Sequence, residues 1–171
     1  TYTYVPDTFD WRPDADYAYI TTNNTIYGTR YTAIPDTGNV PLVADMSSNI
    51  LSEPFDVTKF GVIFAGAQKN IAPAGLTVVI VDRFYAGHER PDTPQIMSYQ
   101  KQINKDSMLN TPPCWCIYML GLVLEWVEAE GGVAAMDACR RERSRLVYEV
   151  LDNSRLDDYS LYVYLTDAGA E

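Results

Sequence analysis

The stretch Gly61-Val-Ile-Phe-Ala-Gly-Ala-Gln-Lys69-Asn-Ile-Ala-Pro-Ala-Gly75 decides the reading of this chain. Residues 62–65 are a short apolar run of β-formers and predict a strand. A second run, Leu76-Thr-Val-Val-Ile-Val81, follows the loop. Between the two, Gly66 and Ala67 keep the approach to Lys69 open, and the small, constrained residues 70–75 make the loop rigid. A third run, Val40-Pro-Leu-Val-Ala-Asp45, ends on an aspartate. Unbroken apolar strands imply burial on both faces, as in an α/β sheet. Asp45 and Lys69 then each stand at the carboxyl end of a buried strand.

In open α/β sheets, ligands sit beyond the carboxyl ends of the strands. That rule places Asp45 and Lys69 in one crevice. A lysine held there is nucleophilic toward aldehydes. The pair is what pyridoxal phosphate chemistry needs: a lysine to form a Schiff base, and a carboxylate to keep the pyridine nitrogen protonated. Each residue also has a plain reading. A loop lysine is commonly a surface residue, and an aspartate after a strand commonly caps the next turn. Thr25, in Asn23-Asn-Thr25, offers a hydroxyl either to a cofactor oxygen or to its own loop. Asn110-Thr111, at a helix start, offers an amide, a hydroxyl and free backbone N–H groups, which suit a phosphate or a simple helix cap. The sequence leaves both uses open.

Composition narrows the classes. An apolar fraction of 47% in 171 residues is that of a globular domain or a piece of a larger protein. A net charge of −10 argues against nucleic acid and against an anionic membrane surface. Three cysteines and one histidine argue against a disulfide framework and a zinc site, and point to reduced thiols in an intracellular, cytoplasmic protein. The longest apolar run, residues 117–124, is too short to span a bilayer. No leader is visible, and a start at Thr1 suggests a chain that is processed, trimmed or internal to something longer.

Along the chain, residues 1–15 read as a lead-in segment and 16–152 as the core. Residues 153–171 read as a tail, the start of a small domain or its replacement. Strands are expected at 16–21, 42–45, 62–65, 76–81 and 161–165, with 22–25 as a loop and 28–34 as a peripheral extended piece. Residues 83–110 form a long irregular connection, of the kind that is usually functional. A helix is expected from Thr111-Pro-Pro113 to about residue 130, apolar on most of its surface and hence buried. Gly131-Gly132 ends it. A second helix of mixed charge runs to about residue 152. His88 reads as a solvated loop residue, and Cys114 and Cys116 as buried packing.

Four stretches together resemble the phosphoserine aminotransferase family: Val43-Ala-Asp-Met-Ser-Ser48, Gly61 to Ile71, Pro73-Ala-Gly75, and Asp106-Ser-Met-Leu-Asn-Thr-Pro-Pro113. Asn23-Asn-Thr-Ile-Tyr-Gly28 and Gly131-Gly-Val-Ala-Ala-Met136 fit the same family, so the likeness runs from about residue 16 to about 152. The resemblance implies an incomplete α/β large domain of the pyridoxal phosphate-dependent transferase type. Its mainly parallel sheet is flanked by helices, and the protein is a homodimer. It implies amino transfer between glutamate and 3-phosphohydroxypyruvate, giving O-phospho-L-serine in serine biosynthesis. Carried over by position, Lys69 is the Schiff-base lysine and proton shuttle. Asp45 is the pyridinium partner, Thr25 contacts the ring hydroxyl side, and Gln68 reaches the cofactor phosphate. Asn110 and Thr111 reach the cofactor phosphate of the other subunit.

Two departures from the family pattern stand out. The chain holds about half of a family member, without the preceding Gly-Arg and Trp contacts or the following arginine and histidine clamps. The tail after residue 152 does not visibly continue the pattern. Ala72 also replaces a usual glycine, and a positive φ there would cost roughly 1 kcal/mol. Two other readings are set beside the first. One is a non-catalytic fragment or remnant that keeps the fold and dimer surface. The other is a cysteine desulfurase, against which speak Gln68 in the place of a histidine and the helical setting of Cys114 and Cys116.

Overall fold

The computed structural model describes residues 4–153. The strand expected at 161–165 and the tail from 154 lie outside the described residues. Four strands form the main sheet: β1 (Ala18–Thr21), β4 (Leu42–Asp45), β5 (Val62–Gly66) and β6 (Thr77–Val81), in spatial order β1-β4-β5-β6. β1, β4 and β5 run parallel, and β6 runs antiparallel to β5. Two short strands, β2 (Asn23–Asn24) and β3 (Thr29–Arg30), make a small hairpin; the first falls where a loop was expected and the second in the expected extended piece 28–34. Three helices follow: α1 (Tyr99–Ile103), α2 (Cys114–Ala129) and α3 (Gly132–Asp152).

Parallel register controls where everything else falls. Thr21 stands opposite Asp45, and Asp45 opposite Phe64. The carboxyl ends of β1, β4 and β5 therefore meet at one edge. The strands alternate in burial. Ala18, Ile20, Leu42, Ala44, Ile63 and Ala65 fill one face and form the core with Met46, Ile50, Phe60, Ala67 and Ile71. Leu120 of α2 packs against this cluster. Leu42 and Ile63 are 2% and 1% exposed. Each such side chain contributes about 1.5–3 kcal/mol by leaving water.

Burial on both faces, expected from the unbroken apolar runs, is not what the strands show. Tyr19 is exposed on the second face and stacks on Phe64 with centroids 6.4 Å apart. Val79 and Ile80 of β6 are exposed as well. Helix α2 departs from expectation in the same way: only Cys116 and Val127 on it are buried, while Trp115 is 65% exposed, Tyr118 60% and Trp126 51%. Apolar periodicity reports what an element can bury; what covers it depends on the rest of the fold. Cys114, expected in the packing, is exposed. Cys116 is buried and donates its Sγ–H to the Ala74 carbonyl at 3.2 Å, which fastens α2 to the lysine loop.

The prolines fall one step earlier than expected. Helix α2 starts at Cys114, with Pro113 at its N-cap and no side-chain cap, so Asn110 and Thr111 do not cap it. The α2–α3 junction is made by Gly131 and Gly132 at φ +101° and +76°, a conformation that costs other residues more. The connection 83–110 is not structureless: it holds two 3-10 turns, Arg83–Tyr85 and Gln95–Met97, and α1. His88 is exposed, its ring against that of Phe84.

Inside the connection, the Ser98 hydroxyl donates to Glu89 and caps α1 by accepting from Lys101 N at 3.1 Å. The Ser98 bond holds the Glu89 carboxyl below its ordinary range. The folded value is lower than the unfolded one, so this contribution is present above the ordinary value and is lost as pH falls through the folded one. Ser98→Ala is expected to raise the Glu89 midpoint toward the ordinary carboxylate range in an NMR titration, and an unmoved midpoint counts against the bond. In urea unfolding, Leu42→Ala is expected to cost about 3 kcal/mol. Val79→Ala, on the open part of β6, is expected to cost about 1 kcal/mol or less. Equal losses would contradict the one-sided core.

Candidate functional site

The aligned strand ends carry three turns, and the candidate site lies between them. Residues 22–28 leave β1, residues 46–52 leave β4, and residues 67–72 leave β5. Thr21, Asn23, Asn24, Thr25, Ile26, Asp45, Ser48 and Lys69 line one cleft of about 170 Å³. Lys69 Nζ donates to Thr25 Oγ1 at 2.8 Å. The amine, the carboxylate and the hydroxyl singled out from sequence thus share one cleft.

Short polar side chains brace these turns by answering backbone groups that the strands leave open. Thr22 N–H and its hydroxyl both donate to the Asp45 carbonyl, at 3.0 and 3.1 Å. The Thr22 hydroxyl also lies 2.6 Å from Asn49 Oδ1. Asn23 Nδ2 donates to Ser48 Oγ at 2.9 Å, and the Ser48 hydroxyl donates back to the Asn23 carbonyl at 2.8 Å. Asp45 Oδ1 accepts from Ser47 N at 2.8 Å, so the aspartate does close its own turn. Its second oxygen adds no further contact to that turn. Ser47 Oγ in turn accepts from Gly66 N at 2.9 Å, which ties the β4 turn to the end of β5.

The lysine loop is a closed helical turn. Ile71 N and Ala72 N both donate to the Ala67 carbonyl, at 3.1 and 2.9 Å, and Ala67 N donates to Leu76 O at 2.9 Å. Ala67 is fully buried, so the turn is rooted in the core while Lys69 points out of it. Asn70 Nδ2 donates to the Ile50 carbonyl at 2.6 Å and pins the turn from the side. The strain expected at Ala72 is not found. Its φ is not positive; the left-handed position in this loop is Gly75, at φ +117°.

The other sequence candidates fall elsewhere. Gln68 is exposed and does not line the cleft; its amide lies against Gly66, where a Cβ would come within 3.0 Å of it. Asn110 and Thr111 are exposed ahead of α2 and do not line the cleft either. Sequence reasoning missed Asn23 and Ser48, which both line and brace the site. Their signal was present as small polar residues directly after two strands, which serve turns more than interiors.

Comparison with known proteins fits this geometry. The family model for class-V aminotransferases matches residues 5–168. The match includes most of the lead-in segment and of the tail, so the family pattern extends beyond the limits of about 16 and 152 read from motifs alone. The chain belongs to the class-V aminotransferase family. It is 48% identical over 155 residues to a phosphoserine aminotransferase of Lysinibacillus sphaericus, covering 90% of this chain and 43% of that one. It is 54% identical over 141 residues to one from Lactiplantibacillus plantarum, covering 82% and 39%. Among solved structures, a phosphoserine aminotransferase examined for radiation damage of its Schiff base superposes with a TM-score of 0.86 at 43% identity, over 89% of this chain and 43% of that one. A PLP-bound phosphoserine aminotransferase from Trichomonas vaginalis superposes at 0.83 and 41% identity, over 89% and 45%. The chain spans less than half the length of these relatives. Among the described residues, no helix is long and apolar enough to cross a membrane.

Ser48→Ala removes both bonds to Asn23 and is expected to cost about 1–2 kcal/mol in chemical unfolding. A loss near zero would mean that the hairpin is held by other contacts.

Proposed function

We propose that this chain carries the pyridoxal 5′-phosphate site of a phosphoserine aminotransferase. The reaction is amino transfer between glutamate and 3-phosphohydroxypyruvate, giving O-phospho-L-serine, in a cytoplasmic homodimer. One observation carries the reading: Lys69, Asp45 and Thr25 line a single cleft at the carboxyl edge of three parallel strands. The donor set fits the cofactor. An amine for its aldehyde, a carboxylate for its ring nitrogen and a hydroxyl for its ring oxygen stand together, and the names of the relatives agree.

When bound, the cofactor supplies an electron sink for negative charge at the substrate α-carbon. The residues of the chain do the rest. Lys69 Nζ would hold the cofactor covalently and would carry the proton to and from that α-carbon. The Asp45 carboxylate would favour the protonated form of the cofactor's ring nitrogen. Ser47 N–H fixes one carboxylate oxygen and so limits how the group can turn. Thr25 hydrogen-bonds Lys69 and the ring-oxygen side. Gln68 serves the phosphate, and Asn110 and Thr111 serve the phosphate held by the second subunit. The position of Asn110 and Thr111 outside the Lys69 cleft agrees with service to another subunit's cofactor. The open apolar face of α2 agrees with a chain that meets more protein surface. Residues 16–152 form the cofactor-binding core in this reading, and 153–171 lead toward the small domain.

A second reading, a chain that binds without turnover, is favoured by the absence of Gln68 from the cleft lining. The full chain, mixed with pyridoxal phosphate and reduced with borohydride, is expected to carry one adduct, mapped by mass to Lys69. Adducts scattered over Lys59, Lys101 and Lys105 would sink the proposed site. Lys69→Ala should abolish the adduct and the visible absorbance band while leaving the circular dichroism unchanged. Glutamate added to the loaded chain separates the two readings: loss of the band means amino transfer, and a stable band means binding alone. Asp45→Asn should retain binding and slow that half-reaction by about a hundredfold or more. An unchanged rate counts against the pairing.

A further inference from the structure

We infer that Glu53 is a positioning residue for the Lys69–Thr25 contact, acting through Arg30 on the hairpin that carries Thr25. The hairpin has only two paired positions, Asn23 with Arg30 and Asn24 with Thr29. A ladder that short does not hold itself in water. Its place is set by how its two feet are fastened. On the outgoing strand, Asn23 exchanges hydrogen bonds with Ser48. On the return strand, Arg30 Nη1 donates to both carboxylate oxygens of Glu53, at 3.1 and 3.0 Å. Next to Arg30, Tyr31 N adds a backbone bond to the Thr22 carbonyl at 2.9 Å.

The Arg30–Glu53 pair, like those of Arg140 with Glu53 and Asp137, is withdrawn from solvent. Its side chains are 15% and 24% exposed, whereas Arg12–Asp14 and Arg90–Asp92 stand almost free in water. A pair withdrawn from solvent is screened less and holds its geometry better. Glu53 is itself held from the other side by Arg140 of α3, with Nη2 at 3.6 Å, and Arg140 is tied to Asp137 one turn earlier. A chain of charge contacts thus runs from α3 through Glu53 and Arg30 to the hairpin, and ends on the Thr25 hydroxyl against Lys69 Nζ. Thr25 lies in the exposed hairpin turn, so a shift at the Arg30 foot is passed to it directly. None of Glu53, Arg30 and Arg140 lines the Lys69 cleft, which makes the role one of positioning.

The inference deepens the reading above and rests on it for the chemistry Lys69 performs, but its test needs no cofactor. The full chain is acetylated to low extent with an N-hydroxysuccinimide ester of acetic acid, and the modified peptides are counted by mass. Lys59, Lys101 and Lys105 serve as internal references. Glu53→Gln is expected to raise Lys69 labelling about threefold relative to those three, because Lys69 loses its steady acceptor. Thr25→Val should give the same rise, and the double variant no more than either single change. Arg30→Lys, which keeps the charge but loses the two-oxygen contact, is the second variant and should move the ratio in the same direction. An unchanged ratio in both Glu53→Gln and Arg30→Lys overturns the inference. So does an equal rise at all four lysines, which is general loosening, or a double variant whose effects add. Failure of pyridoxal phosphate to attach at Lys69 would sink the reading above; an unmoved labelling ratio with normal attachment would sink the positioning role alone.

Discussion

Parallel pairing of β1, β4 and β5 is the constraint from which the site follows. With Thr21 opposite Asp45 and Asp45 opposite Phe64, the three strands end along one edge, β5 two residues further on, and the turns that leave them crowd into one space. A slip of one residue in β4 would send Asp45 to the opposite face of the sheet and exchange the buried Leu42 and Ala44 for half-buried neighbours. Core burial therefore fixes the register, and the register places the carboxylate. The chemistry is a consequence of packing one face of a four-stranded sheet.

Three turns at one edge bring a problem of their own, since each exposes backbone donors and acceptors that no ladder satisfies. Side-chain oxygens of Thr22, Asp45, Ser47 and Ser48 answer several of them, and Asn23 and Asn49 add bonds from side chain to side chain. The same residues cross-link the turns, so the β1, β4 and β5 ends behave as one braced unit. Lys69 is the exception. Its loop is rooted by buried Ala67 and closed on the Ala67 carbonyl, while its amine lies in the open cleft on the Thr25 hydroxyl. A rigid base and an accessible, hydrogen-bonded tip suit a nucleophile that must first hold a group and then move a proton.

The apolar surface of the chain fits its share of the relatives' length. Trp115, Tyr118 and Trp126 on α2, and Val79 and Ile80 on β6, remain in contact with water. A contiguous apolar helix face of this kind marks a surface that meets other protein. The solved relatives that match 89% of this chain extend well beyond it, since the chain accounts for 43% to 45% of their length. The runs read as doubly buried from sequence are consistent with that larger setting.

Much of the candidate site was legible in the residues. Lys69 and Asp45 could be picked out because apolar runs with β-branched residues mark strands, and a charged residue directly after such a run stands at a strand end. Helices α2 and α3 and their glycine junction were legible for similar local reasons. Asn110 and Thr111 were read from an expected helix start and Gln68 by resemblance, and the fold leaves all three outside the Lys69 cleft. What the tertiary structure alone decided lies between elements far apart in the chain. It turned residues 23–30 into a hairpin, reversed β6, gave Gly75 rather than Ala72 the left-handed backbone, and brought Arg30 and Arg140 together on Glu53. Periodicity and turn chemistry act over a few residues, so a sequence states them directly. Pairing across 23 or 44 residues, as in Arg30–Glu53 and Thr25–Lys69, depends on which strands lie side by side, and only the packed sheet determines that.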